Sequence, residues 1–251
     1  MHFTSEQNHD GGITERGFTL GDISGILWTP PAASESAPVP LVLMGQPGGI
    51  GMRRMYPRLA ARAQSAAAQG FAAVCIELPG AGGRTPLPGA EQARADLARA
   101  ITAGERPGDD VVDGLILPLV DEAVPEWQAT LDELLGLPEI GDRVGFSGGV
   151  IAIGVRLAAL EPRIAAAGLF AGSYVPRATL EEARLVTIPL HVLLQWDDAG
   201  NDRGMALDLF DAFGSTEKTL YANMGGHTGV PPFAGDDAFR FFGRHLGAVA
   251  N

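Results

Sequence analysis

Short apolar runs alternate with longer stretches of helical period along most of this chain, and that alternation predicts its architecture. Residues 13–29 alternate apolar and polar positions on either side of Gly21-Asp22, a turn-forming pair, and predict an antiparallel hairpin. Residues 41–44 and 71–78 are instead wholly apolar, the pattern of strands covered on both faces in a parallel sheet. The alanine-rich stretch 56–69 between them, closed by Gly70, predicts a crossover helix. Further strands are predicted at 143–146, 164–170, 189–196 and 218–222, with helices at 148–160, 179–184, 205–213 and 236–246. The fold class is therefore α/β: an antiparallel start, then a mostly parallel sheet with helices on both faces, with ligands expected at the carboxyl ends of the strands.

Two segments stand outside this rhythm. Residues 1–12 are polar and are expected to form a mobile leader ahead of a single domain over 13–251. Residues 79–114 are rich in glycine, proline and acidic side chains around one predicted helix at 91–103, and a further helix is predicted at 125–135. The insertion 79–126 is expected to cover a pocket over the sheet edge rather than to fold separately, as a minimal cap.

Composition narrows the partners. With 251 residues, 46% of them hydrophobic, the chain is long enough for one full-sized core. A net charge of -12 repels phosphate backbones and anionic headgroups, which argues against nucleic-acid and membrane partners and leaves a small molecule. One cysteine, Cys75, rules out an internal disulfide framework. The polar start lacks signal-peptide features, and no apolar run approaches the roughly 18 residues of a membrane span, so a cytoplasmic protein is expected.

The chemistry centres on Gly145-Phe146-Ser147-Gly148-Gly149, a serine between small residues where an apolar strand meets a helix. Such a turn is expected to hold Ser147 in strained backbone geometry, with glycines avoiding clashes. A serine hydroxyl needs a base to take its proton and a carboxylate to orient that base. His2 and His9 fall in the leader, His191 in a strand and His245 on the last helix, which leaves His227 in the loop Gly225-Gly226-His227. The orienting acid is expected at Trp196-Asp197-Asp198, with Asp198 preferred and Asp197 the alternative; Asp202 is expected to cap a helix. Negative charge on a tetrahedral intermediate calls for two backbone N–H donors. Gly148 supplies one; Pro47 has no N–H, so Gly48 is preferred for the other, with Gln46 the alternative. Trp127, Tyr174 and Met224 are assigned to an apolar substrate pocket, with Ile50, Met52 and Leu117 as further candidates. Neither phosphate-loop nor calcium-loop spacing is present, so no metal is assigned.

The order serine, aspartate, histidine, each after its own strand, resembles the α/β-hydrolase superfamily over nearly all of 13–246. Glu77-Leu78-Pro79-Gly80-Ala81-Gly82, the glycine-rich turn after the third strand and Gly225-Gly226-His227 carry the likeness further. Among subgroups the chain looks most like small bacterial hydrolases of the esterase and dienelactone-hydrolase kind. The resemblance implies an eight-stranded sheet, a Ser-His-Asp catalytic triad with a covalent acyl-enzyme, no cofactor, and action on carboxylic esters, lactones or thioesters. It also leaves room for a non-hydrolytic role on the same scaffold, as a lyase, a cyclase or a binding module. Dienelactone hydrolases carry cysteine at the elbow, whereas this chain has Ser147, and Cys75 reads as core. Many relatives have His-Gly where this chain has Gln46-Pro47.

Overall fold

The computed structural model describes residues 1–247. Its centre is one nine-stranded sheet in the order β1-β2-β3-β5-β4-β6-β7-β8-β9. The first strands are β1 (His2–Asn8), β2 (Thr14–Leu20) and β3 (Ile23–Thr29), which pair antiparallel; β3 in turn runs antiparallel to β5 (Ala72–Ile76). From β5 onward the neighbours β4 (Val39–Gly45), β6 (Ile140–Gly148), β7 (Ile164–Phe170), β8 (Leu190–Gln195) and β9 (Lys218–Asn223) are all parallel. The winding direction reverses between β4 and β6, and an open α/β sheet has its ligand crevice at such a reversal.

The ninth strand corrects two expectations, the eight-stranded sheet and the mobile leader. β1 pairs with β2 along its length, although only one of its seven residues is even partly buried. Its anchor is Glu15, a buried carboxylate that accepts from Gln7 Nε2 at 2.8 Å and also meets His9 Nε2 at 2.9 Å. Trp28 Nε1 and Tyr56 Oη donate to the same group at 2.6 and 2.8 Å. Burying a charge is tolerable only with such a full set of donors, and two of its partners lie in the leader.

Helices α1 (Met52–Ala68) and α7 (Pro232–Phe242) cover one face of the sheet with Val42, Met44, Ala73 and Ala166 beneath them. The other face holds the larger core, built on α2 (Ala90–Ala103), α3 (Asp109–Leu134), α4 (Ile151–Leu160), α5 (Arg177–Ala183) and α6 (Arg203–Ala212). α3 is 26 residues long, where only 125–135 was expected. Pro118 and Pro125 each remove a helical hydrogen bond, yet burial of Val112, Ile116, Leu119, Ala123, Trp127 and Leu131 along one stripe holds the helix together across them. Among the described residues, no helix is long and apolar enough to cross a membrane.

Candidate active site

Ser147 lies at the carboxyl end of β6, in register with Met44 of β4 and Gly168 of β7. Its neighbour Phe146 is fully buried and meets Trp127 edge-on, with ring centroids 6.4 Å apart. Ser147 points to the opposite face, towards α1. The expected strain at the serine is not there: among the described residues only glycines have positive φ, and the turn comes one residue later at Gly148 (φ 72°) and Gly149 (φ 74°). Two consecutive left-handed steps suit glycine alone, and they delay α4 to Ile151 instead of 148. Glycine is needed a second way. A Cβ on Gly149 would sit 2.6 Å from the carbonyl carbon of Gly45, and one on Gly45 would sit 2.6 Å from the oxygen of Gly148, so the turns after β4 and β6 abut backbone to backbone.

The histidine loop is held by three residues at the end of β8. Gln195 Nε2 donates to the Gly226 carbonyl at 2.7 Å, and Asp197 Oδ1 accepts from the amides of Gly225 and Gly226, both at 2.9 Å. Those two N–H groups, Gly226 first, hold the Asp197 carboxyl below its usual range. Asp198 Oδ2 then meets His227 Nδ1 at 2.7 Å. The acid is only 4% exposed while the imidazole is 55% exposed, so the pair is anchored at the acid and open at the ring. With Nδ1 donating to the carboxylate, Nε2 is the basic nitrogen. Asp202 caps α6 by accepting from the Met205 amide, as expected.

The imidazole also stands edge-on to Phe170 at the end of β7, with centroids 5.6 Å apart. It therefore leans from β9 across β8 to β7, and the next strand of the sheet carries Ser147. The Ser147 hydroxyl itself accepts from Arg62 at 3.4 Å, and among the described residues no hydrogen bond joins it to His227. Sequence reasoning passed over Arg62. Its signal was a cation one turn from Leu59 and beside Ala63 and Ala66, on the buried side of α1.

A cavity of about 250 Å³ opens beside these turns, walled by Leu97, Leu115 and Leu119 from α2 and α3, with Gly48 and Tyr174 opposite. Arg94 is the one charged residue among those lining it, and its guanidinium lies against Gly49. Tyr174 thus lines the cavity, and burial, then Asp202, raise its phenol pKa. Of the other two pocket assignments, that of Trp127 is corrected. Trp127 is 1% exposed in the core behind the serine strand, and Met224 is 64% exposed and outside the lining. Ile50, Met52 and Leu117 do not line it either. Arg84 is engaged by both oxygens of Glu126. Cys75 is buried, and burial pushes its thiol up to about 12, far from a reactive thiolate.

Taken together, the sheet and its crossovers are an α/β-hydrolase fold. Solved structures share it over nearly the whole chain. A PEG-bound cold-adapted esterase from an Arctic intertidal metagenomic library is 24% identical, with a TM-score of 0.76 over 98% of this chain and 100% of the other. The dienelactone hydrolase of Anabaena variabilis is 18% identical, with a TM-score of 0.57 over 96% and 98%. An acetyl xylan esterase from Paenibacillus sp. R4 is 16% identical, with a TM-score of 0.64 over 98% and 88%. No family model matches the chain. No curated protein matches it.

Proposed function

We propose that the protein is a serine-dependent hydrolase of the carboxylesterase type, acting on carboxylic esters and the related lactones or thioesters. The observation that carries this reading is the buried Asp198 fixing an exposed His227 that leans towards the serine strand. Names of structural neighbours, esterases among them, support the same class. Rotation about the Ser147 Cα–Cβ bond takes the hydroxyl from Arg62 towards the imidazole. His227 Nε2 then accepts its proton while Oγ bonds to the carbonyl carbon, and the carbonyl oxygen becomes an oxyanion held by the Gly148 amide and one from the Gly48 or Gln46 position. Collapse expels the alcohol, protonated by His227, and leaves an acyl-Ser147. Water, deprotonated by the same imidazole, releases the acid. The apolar walls of the cavity suit a hydrophobic acyl group.

Ser147→Ala should lower turnover of p-nitrophenyl butyrate by roughly 10⁴–10⁶-fold, since triad members act as a unit. A fluorophosphonate probe should add its mass to Ser147 in the native protein. Unchanged turnover in the variant and an unlabelled serine would together favour a non-hydrolytic role, as a lyase, a cyclase or a binding module.

A further inference from the structure

Arg62 is the cation that the proposed chemistry leaves unused. It makes no ion pair with a carboxylate among the described residues, and burial lowers its pKa from the usual arginine value. Instead, its fork is spread over two carbonyls: Nη1 donates to Gly45 O at 2.9 Å and Nη2 to Ser147 O at 2.7 Å. These are the peptide units just before Gln46 and Gly148. Both bonds are trans, because the described chain has no cis peptide. In a trans peptide the N–H points opposite to its own C=O. One guanidinium that binds both carbonyls therefore turns the Gln46 and Gly148 amides together away from itself. A cation on a carbonyl oxygen also draws density from the same amide and strengthens its N–H as a donor.

We propose that Arg62 is a positioning residue that sets the Gln46 and Gly148 amides as the oxyanion-binding pair, a role that rests on the ester-hydrolase reading. Gly48 has no such support. It lines the cavity, where a Cβ would meet Leu119 Cδ2 at 2.8 Å. A lysine at 62 keeps the charge and loses the fork, so it cannot hold both carbonyls in one geometry.

Three readouts test this. Arg62→Lys should lower kcat for p-nitrophenyl butyrate by about 10²-fold, the scale of one lost oxyanion donor, while KM stays within about threefold. Affinity for phenylboronic acid, which forms a tetrahedral adduct on an activated serine, should fall by a similar factor. Should the variant not fold, the wild-type protein carries the test alone: on phenylboronic acid titration, the Gln46 and Gly148 amide resonances should move furthest and Gly48 little. A kcat within threefold of wild type in folded Arg62→Lys, or a Gly48 amide that moves in place of Gln46, would overturn the proposal. A wild-type protein that neither turns over the ester nor binds the boronate would overturn the hydrolase reading and with it the oxyanion role. Upfield displacement of the two amides in Arg62→Lys would then still register the carbonyl clamp by itself.

Discussion

Adjacent aspartates divide the work at the end of β8. Asp197 holds the backbone of the histidine loop, and Asp198 holds the imidazole. Removing the second should cost far more than removing the first: Asp198→Asn is expected to lower kcat by about 10³–10⁴-fold, because an amide donating to Nδ1 holds the imidazole in the wrong tautomer. Asp197→Ala leaves Gln195 still bonded to the loop, so a loss at least tenfold smaller is expected. Steady-state kinetics of the two variants decides between them, and the reverse order would make Asp197 the acid. From sequence Asp198 was preferred with Asp197 kept as the alternative, since strand ends are not legible to a residue. Ser147 and His227 were legible as candidates because glycine spacing and elimination singled them out. Arg62 was not, because its partners are carbonyl oxygens, which leave no mark in a sequence.

At the scale of elements, α3 serves both the cavity and the core. Its first turns present Val112, Leu115 and Leu119 to the cavity, and its later turns bury Trp127 behind Phe146. Filling the cavity from this helix should shorten the accepted acyl chain. Leu115→Trp is expected to lower turnover of p-nitrophenyl octanoate at least tenfold relative to the acetate; an unchanged ratio would place the acyl group elsewhere. The helix was half legible. The apolar stripe runs through it with helical spacing, but the predicted helix began only at Pro125, and burial over seven turns outweighed the hydrogen bonds missing at Pro118 and Pro125. The segment 79–126, set apart in the sequence by its break in rhythm, supplies most of the residues that line the cavity, whereas the individual lining residues were not legible: Trp127 is apolar like Tyr174, and only packing separates lining from core.

Over the whole molecule, the parallel half of the sheet was plain in the apolar runs, and β1 was not, because a polar edge strand held by its backbone ladder and polar side-chain bonds leaves no apolar pattern. The far side of the sheet offers a test of stability against pH. His191 is buried between Tyr221 and Phe241, and burial lowers its pKa from 6.5; Asp237 opposes that shift and Arg244 adds to it. A base with a depressed folded pKa binds its proton more readily when unfolded, so its contribution is present above pH 6.5 and is lost as pH falls below. Urea melts at pH 7.5 and 5.5 should show that loss, and His191→Phe should flatten it; an equal acid loss in both proteins would assign it to other groups. The abutting turns at Gly45 and Gly149 carry a consequence for anyone reshaping this molecule. A single methyl at either position forces the two turns apart, because it would meet the other turn's backbone at 2.6 Å. New specificity has to be sought from the cap side, because the floor admits hydrogen and nothing larger.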